Sequence, residues 1–495
     1  MGMKMKKILM RTVVCVLFLL LVVSVLYGIN WLFKLKTTDG CYPMQMFYKQ
    51  EDDSIDILCL GSSHTYTNIN PAVLWEEYGM AAYDLAGSNQ PLWNSYYYFK
   101  EALKYQSPEL VVLDVYRAVE SEDYIDGTRV AMNLFGMRYS EDWKECLKES
   151  VAYNDMYEDY LLRFPIYHAR YQELKKRDFQ FFNGDINGKN YKGFNLNCIS
   201  TTVFEKYPDV TGVTEVGKMT PKNYNYLENI ILLAKEKQIP LLFVVAPYME
   251  ITVDEKKIYN EVKVLADKYG IQFVDFNEFY EQIGLNPATD FAESSHLNYY
   301  GSEKYSAYLG AYISENYTIS DRRNNEKYAS WQANSQFYRS HAANVDIKKT
   351  VELKELLEKI FENKDRYTIC VTLDGVYEDE CQNITSLLER YGMDTVQYGT
   401  WVFKEGELVY TLPKCITEDT FYYNDLGKQS LTIITQMRRN EAQQEIYPFK
   451  NINLEGIGCN AVTDGVNILV YDDVLQETVV ITGANALDEY HLVTY

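Results

Sequence analysis

Paired cysteine and histidine are what this chain of 495 residues has least of. Nine cysteines occur, but none forms a Cys-x-x-Cys pair or stands at a zinc-ligand spacing from a histidine. That pattern argues against a structural zinc site and against a disulfide framework. Cys15 lies in an N-terminal apolar run, and Cys59 falls inside an apolar strand pattern and reads as core; one bridge, Cys370 with Cys381, stays open. Five histidines leave few places for a general base. Positive charge is short as well: 48 Lys and Arg against 70 Asp and Glu give a net charge of −22, with no basic patch of note. Such a surface repels nucleic acid, and on average it repels anionic lipid and wall polymers too, although a local site can override that. There is no internal repeat and no low-complexity segment, and nothing calls for a cofactor or a metal ion.

What is present fills cores. Hydrophobic residues make up 47% and charged residues 24%, which argues against wholesale disorder, and the length suggests two or three domains. The 45 tyrosines have two readings: packing and surface tolerance first, and stacking on sugar rings second.

Thr12 to Phe33 reads TVVCVLFLLLVVSVLYGINWLF, 22 residues without a charge and long enough to span a bilayer. No small-residue cleavage site follows, and Trp31 suits the interface. Lys4, Lys6, Lys7 and Arg11 precede the run, whereas Lys34 and Lys36 follow it. This bias predicts a single-pass protein of the cell membrane, with residues 1–35 as cytoplasmic tip and anchor and the rest outside.

From Ile55 onward strands and helices alternate. Ile55–Leu60, Ala81–Leu85, Leu110–Val115, Pro240–Pro247 and Ile271–Phe276 read as buried strands. Asn70-Pro71 opens a helix that Gly79 closes, and further helices are expected at Pro91–Tyr105, Asn223–Gln238, Glu255–Tyr269 and Gly301–Asn316. The alternation predicts an α/β domain over 36–320 with a parallel sheet covered on both faces. It lapses between Glu120 and Thr220, a stretch rich in Tyr, Arg, Lys and Phe that includes Phe164–Phe179. We read 120–220 as a mostly helical insertion forming a lid or substrate wall. Residues 321–347 read as a partly helical connector. A smaller α/β domain is expected over 348–495, with helices at Val351–Glu362 and Glu380–Tyr391 and strands that include Tyr367–Leu373, Glu407–Thr411, Leu431–Gln436, Val466–Tyr471 and Thr478–Thr482.

In an open parallel sheet a site forms outside the carboxyl ends of the strands. Three segments fall there. Gly61-Ser62-Ser63-His64 follows the first strand and precedes a helix, which exposes a serine beside a helix N-terminus. Ala86-Gly87-Ser88-Asn89-Gln90 follows the second strand, where the Ser63 and Gly87 backbone N–H groups and the Asn89 side chain are candidate oxyanion donors. Glu293-Ser294-Ser295-His296-Leu297-Asn298 follows the fifth strand. His296 there can act as base toward Ser63, and Glu293 can orient His296. Each segment alone reads as well as an ordinary turn or cap; their joint order carries the reading. His64 is set aside as base, because its side chain should project differently from that of Ser63; it lines the pocket or caps the helix. His168 and His341 read as surface or insertion residues.

These residues resemble the SGNH (GDSL-like) hydrolase superfamily. They are most similar to extracytoplasmic acyltransferase-like members, such as the D-alanine transfer protein of teichoic-acid modification and the acetyltransferase-like proteins of alginate export. The resemblance covers about Ser54 to Tyr317. Gly61-Ser62-Ser63 matches the Gly-x-Ser turn and implies Ser63, rather than Ser62, as nucleophile. Gly87 matches the second-block glycine, and Glu293-x-x-His296 matches the late Asp-x-x-His with glutamate for aspartate. Asp290 is the alternative carboxylate if the loop folds differently. The third-block Gly-x-Asn-Asp is absent: the third strand runs into Asp114-Val115-Tyr116-Arg117. The resemblance implies a three-layer flavodoxin-like fold and a serine esterase or O-acyltransferase. It implies acyl groups, acetyl above all, of a cell-surface polysaccharide or wall polymer as substrate, with a membrane O-acyltransferase as possible partner. The alternative is a non-catalytic glycan-binding or assembly module. Arg366–Met393 and Asp464–Gly483 are similar, faintly, to the interleukin-like (PANDER-like) domain, which implies a carbohydrate-binding or assembly role for 348–495.

Overall fold

The computed structural model describes the chain apart from residues 1, 34–39, 126, 153, 163–168, 173, 175–177, 180–190, 198–201, 375–381, 394–398, 413–417, 440–445, 464, 486–490 and 495. Two compact units result, Met1–Tyr338 and Arg339–Tyr495.

The first unit begins with the helix Gly2–Phe33, within which Leu9–Phe33 is long and apolar enough to cross a membrane. Its large apolar side chains are exposed all round. Five strands follow: β1 Ile57–Gly61, β2 Ala82–Ala86, β3 Leu110–Asp114, β4 Leu241–Val245 and β5 Gln272–Asp275. They pair in parallel in the order β2-β1-β3-β4-β5. This is the flavodoxin-like order, which reverses direction between β1 and β3 and opens a crevice at the carboxyl end of β1.

Alternation along β1 builds the three layers. Leu58 and Leu60 pack on the face covered by the helices Leu92–Ala102, Pro221–Lys237 and Val253–Tyr269. Ile57 and Cys59 pack on the face covered by Pro71–Tyr78 and Tyr299–Asn316. The sequence sets the helix ends. The Asn70 side chain accepts from Ala72 N at 3.0 Å ahead of Pro71, and Gly79 stops the helix in a left-handed conformation at φ 70°. Thr252 and Glu255 form a reciprocal capping box at the start of Val253–Tyr269.

The insertion is helical in its first part, with Gly127–Leu134, Glu141–Ser150 and Asn154–Leu162. Residues 202–219 run without helix or strand. Most of Phe164–Phe179, and with it His168, lies outside the described residues.

In the second unit a six-stranded sheet has the order β15-β14-β13-β6-β7-β8 and a four-stranded sheet the order β12-β11-β10-β9. The strands are β6 Tyr367–Asp374, β7 Gly399–Lys404, β8 Glu407–Leu412, β9 Thr420–Asp425, β10 Ser430–Arg439, β11 Ile446–Leu454, β12 Ile457–Gly458, β13 Gly465–Asp472, β14 Glu477–Ala484 and β15 Leu492–Thr494. All pair antiparallel. The helix Leu353–Glu362 turns Leu353, Leu356, Leu357 and Ile360 into a core with Ile369, Val371 and Ile468. Residues read as a connector form much of a 21-residue helix, Ala329–Lys349. Cys370 is a free buried thiol, and Cys381 lies outside the described residues.

Candidate active site

The chain turns sharply at the end of β1. Gly61 has φ 148°, where an L side chain is strained, and a Cβ there would fall 2.3 Å from Thr65 Oγ1 and 3.1 Å from Asp114 Cβ. Thr65 Oγ1 donates back to Leu60 O at 3.1 Å, which holds the turn closed. Ser63 is thereby the first residue of the helix Ser63–Asn68, at the crevice beside β3. A first-turn N–H has no partner within its own helix, so the Ser63 N–H is of the kind that can hold an oxyanion.

The segment bearing His296 is tied to this helix by hydrogen bonds. Asn68 Oδ1 accepts from Leu297 N at 3.2 Å and from Thr67 Oγ1 at 2.9 Å. Ser306 Oγ accepts from Asn70 N at 2.7 Å and donates to Asn68 O at 3.2 Å. Asn298 caps Tyr299–Asn316, accepting from Tyr300 N at 3.0 Å and Gly301 N at 3.2 Å. His296 thus stands just ahead of a capped helix. Its Nε2 lies 2.7 Å from Ser63 Oγ, and its Nδ1 hydrogen-bonds Glu293 Oε1. Glu293 Oε2 accepts from Ser295 N and Ser295 Oγ, both at 2.8 Å.

Electrostatics favour the same roles. Burial alone would raise the Glu293 carboxyl, but the hydrogen bond from His296, those from Ser295 and the His296 charge outweigh it and hold the group at about 2. Glu293 is therefore ionised at neutral pH and able to stabilise imidazolium. With Nδ1–H donated to Glu293, Nε2 is left to accept the Ser63 proton. Asp290 is employed elsewhere: its Oδ2 accepts from Lys304 Nζ at 2.6 Å and Asn286 N at 2.8 Å.

A cavity of about 510 Å³ opens beside Ser63 and His296. Ser88 and Asn89 line it from the turn after β2, together with Tyr66, Thr67, Arg129, Asn195, Leu196 and Asn197. Gly87 packs against the Asn133 side chain, and a Cβ there would fall 2.0 Å from Asn133 Oδ1. The end of the Asn89 carboxamide lies 2.8–3.0 Å from the guanidinium nitrogens of Arg129, and turning its oxygen toward these cationic nitrogens leaves the NH2 as its donor. Asn195 and Asn197 are held by backbone bonds, Asn195 N to Tyr66 O at 2.7 Å and Tyr299 N to Asn197 O at 2.9 Å. Arg129, Asn195 and Asn197 escaped the sequence reading because their segments carry no motif. The only hint was that 120–220 interrupts the strand-helix alternation where a wall is needed.

His64 neither caps the helix nor lines the cavity. It is fully buried, its ring stacks on Tyr116 with centroids 3.5 Å apart, and it lies 5.2 Å from the His296 ring and 5.3 Å from Tyr248. Neither of its ring nitrogens has a hydrogen-bond partner. Burial, with the nearby His296 and Arg117, lowers its pKa well below the usual imidazole value, so it backs His296 as a neutral ring. His341 is buried in the second unit, not on the surface. At the third strand, Asp114 Oδ1 accepts from Tyr116 N at 2.9 Å and Oδ2 from Ala246 N at 3.1 Å. Burial pushes this carboxyl up to about 7 against those bonds. It staples β3 to the residue after β4. Among the described residues no cluster of His, Cys, Asp and Glu has the geometry of a metal site.

No protein-family model matches the chain, and no curated protein sequence does. Among solved structures the chain is similar to a protein from Desulfitobacterium hafniense DCB-2 described as lipolytic and of the G-D-S-L family. The identity is 11% and the TM-score 0.26, over 52% of this chain and 97% of that one. It is also similar to a protein from Bacteroides fragilis NCTC 9343 described as an acylhydrolase, with 13% identity and a TM-score of 0.27, over 55% of this chain and 93% of that one. Likenesses with such TM-scores say nothing of what the chain does.

Proposed function

We propose that the chain is a membrane-anchored serine esterase or O-acyltransferase that handles acyl groups, acetyl by preference, on a cell-surface polysaccharide outside the cytoplasm. The observation that carries the reading is the unbroken relay from Ser63 Oγ through His296 to Glu293, facing a cavity. Ser63 Oγ attacks the ester carbonyl while His296 Nε2 takes its proton. The Ser63 N–H, the Gly87 N–H and the Asn89 NH2 hold the oxyanion. As the tetrahedral species collapses, the sugar oxygen leaves with the proton from His296, and the acyl group stays on Ser63. An incoming hydroxyl then gives its proton to His296 and attacks the acyl-serine, and Ser63 takes that proton back as it leaves. Water as acceptor makes an esterase; a sugar hydroxyl makes a transferase.

The cavity wall supports the substrate class. Amides and hydroxyls from Thr67, Ser88, Asn195 and Asn197 outnumber aliphatic groups, which suits a hydroxylated ring and a short acyl group better than a fatty chain. The apolar N-terminal helix and the four-to-two excess of Lys and Arg ahead of it support an anchor with the rest of the chain outside. On this reading residues 36–320 are the catalytic domain, 321–347 the connector and 348–495 a carbohydrate-binding or assembly domain resembling the PANDER-like fold. A membrane O-acyltransferase would supply the acyl groups. The test compares wild type with Ser63→Ala, as the full chain in detergent, on an activated acetyl ester, on an O-acetylated polysaccharide and with a serine-directed phosphonate. Loss of turnover and labelling in the variant supports the reading. Equal background signals in both proteins on every substrate favour a non-catalytic glycan-binding module.

A further inference from the structure

The stretch after β4 is pinned on several sides and reaches the base from there. Ala246 N donates to Asp114 Oδ2 at 3.1 Å. Tyr248 N donates to Asn277 Oδ1 at 2.9 Å, Tyr248 O accepts from Tyr280 OH at 2.6 Å, and the Tyr248 and Tyr259 hydroxyls meet at 3.2 Å. Tyr248 is fully buried, and its ring packs edge-on against His64, whose ring lies 5.2 Å from that of His296. A residue bonded through backbone and side chain at once has little freedom, so the chain leaves Tyr248 in a fixed direction.

The next two residues take hold of the turn that carries the relay. Ser294 O accepts from Met249 N at 2.7 Å and from Glu250 N at 3.2 Å. Ser294 Oγ donates to Glu250 Oε2 at 2.6 Å, a hydroxyl-to-carboxylate bond of the short, charge-assisted kind. Ser294 lies between Glu293 and His296, in a turn that Ala292 N closes on His296 O at 2.9 Å. Its neighbours are engaged with each other: Ser295 N and Oγ both donate to Glu293 Oε2 at 2.8 Å. Asn68 fixes the far end of the same turn through Leu297 N. The tip of the turn thus has its own anchor, and the aim of the Glu293 carboxylate at His296 Nδ1 depends on where that tip is held.

We infer that Glu250 is a positioning residue for the relay: through the Ser294 hydroxyl it holds the turn in which Glu293 meets His296. Glu250 is not among the residues that line the cavity, so it acts through the turn and not on the substrate. The inference rests on the acyl-transfer reading for what the relay does, but not for how the relay is held. It brings β4 into a site whose three relay residues come from the end of β1 and from the segment after β5.

The experiment uses the full chain in detergent and an activated acetyl ester. kcat, KM and their pH profiles are measured for wild type, Glu250→Gln, Glu250→Ala, Ser294→Ala and the double variant Glu250→Ala with Ser294→Ala. The amide oxygen of glutamine still accepts the Ser294 proton but carries no charge. It therefore separates this bond from a direct charge effect on a base that already faces Glu293, His64 and Asp114. Glu250→Ala is expected to lower kcat about tenfold with KM within about twofold. The acid limb of its kcat profile should lie at lower pH, since a carboxylate that meets the ring less closely holds the ring's proton less firmly. Glu250→Gln should stay within about twofold of wild type. Ser294→Ala should match Glu250→Ala, and the double variant should lose no more. Wild-type kcat in Glu250→Ala, a Glu250→Gln as slow as Glu250→Ala, or additive losses in the double variant overturns the positioning role and leaves acyl transfer standing. A readout independent of turnover is the NMR titration of His296 in chain carrying isotopically labelled histidine, assigned with His296→Gln. Wild type without Ser63-dependent turnover overturns acyl transfer. In that case a His296 titration midpoint that falls in Glu250→Ala but not in Glu250→Gln supports the positioning role, and an unmoved midpoint overturns it as well.

Discussion

Each unit of the molecule has a carboxylate that meets a nitrogen base or cation, and the two arrangements differ in what they leave open. In the second unit Asp472 has no exposed side-chain surface. Its Oδ2 accepts from Arg366 Nε at 2.8 Å and Asn344 Nδ2 at 2.9 Å, and its Oδ1 accepts from Val474 N and Leu475 N, each at 2.9 Å. Every lone pair that can be used is in use, and nothing is left to meet a ligand. In the first unit His296 and Glu293 keep 22% and 37% of their side-chain surface exposed, and the chain of hydrogen bonds ends on a hydroxyl at a cavity. A saturated network ties backbone together; one that stops at an open hydroxyl holds a reaction ready. Topology underlies the difference. The parallel strands β1 to β4 are buried along their whole length, so polar groups with work to do are pushed to the carboxyl ends.

The largest effect that would break or sharpen this contrast is at Ser63. Ser63→Ala should lower Ser63-dependent ester turnover about a thousandfold or more while leaving the thermal unfolding temperature nearly unchanged, because the change removes one hydroxyl. Full activity in that variant would place the two networks in the same class. Glu293→Gln comes next, with an expected loss of about a hundredfold in kcat, since the amide supports the wrong imidazole tautomer. The folded carboxyl lies near 2, below its unfolded value. The stabilisation it provides is therefore full above the ordinary glutamate range and lost as pH falls through about 2. Unfolding followed between pH 6 and pH 2 should show an acid-side decline in wild type that is shallower in Glu293→Gln.

On the saturated side, Arg366→Leu should destabilise the second unit by about 3 kcal/mol, because it strands a buried charge, and should leave Ser63-dependent turnover intact. Turnover that falls in step with stability would erase the contrast. A purely pH-dependent effect is expected at Lys192. Its ammonium is almost fully buried against Gln50, Ser330 and the Trp331 ring, and desolvation lowers it to about 7. Between that value and the ordinary lysine range the unfolded chain holds a proton that the folded one has released, so stability rises with pH across the window. Lys192→Met should flatten that rise in urea titrations at pH 7 and pH 10.

Where local rules govern, the sequence was readable. Each of the five expected parallel strands overlaps an observed one within two residues at either end, because each apolar run has a Gly or Pro close to at least one of its ends. The helix after Asn70 is capped as its residues indicate. Ser63 was picked out by its place at a strand end, His296 and Glu293 by theirs between the fifth strand and the last helix, and the structure brings the three together. Which residues of the insertion line the cavity was not legible. Arg129 and the segment around Asn195 come from stretches whose position depends on what they dock against, such as Asp84 N on Lys192 O at 2.9 Å, and no local pattern encodes that. The burial of His64 was hidden for the same reason: its neighbours Tyr116 and Tyr248 are distant in sequence. In the second unit β7, β9, β11, β12 and β15 went unnamed; a strand of mixed polarity such as Thr420–Asp425 is fixed by its partner more than by its own residues.

The hydrogen bond between Ser63 and His296 joins residues 233 positions apart. While the chain is being made, Ser63 emerges early and remains an ordinary alcohol until the base arrives. Residue 296 follows only after all five strands of the parallel sheet, and Asn68 then hooks Leu297 to the nucleophile's helix. The order of synthesis therefore works as a safety catch: no shortened product ending before residue 296 carries an armed serine.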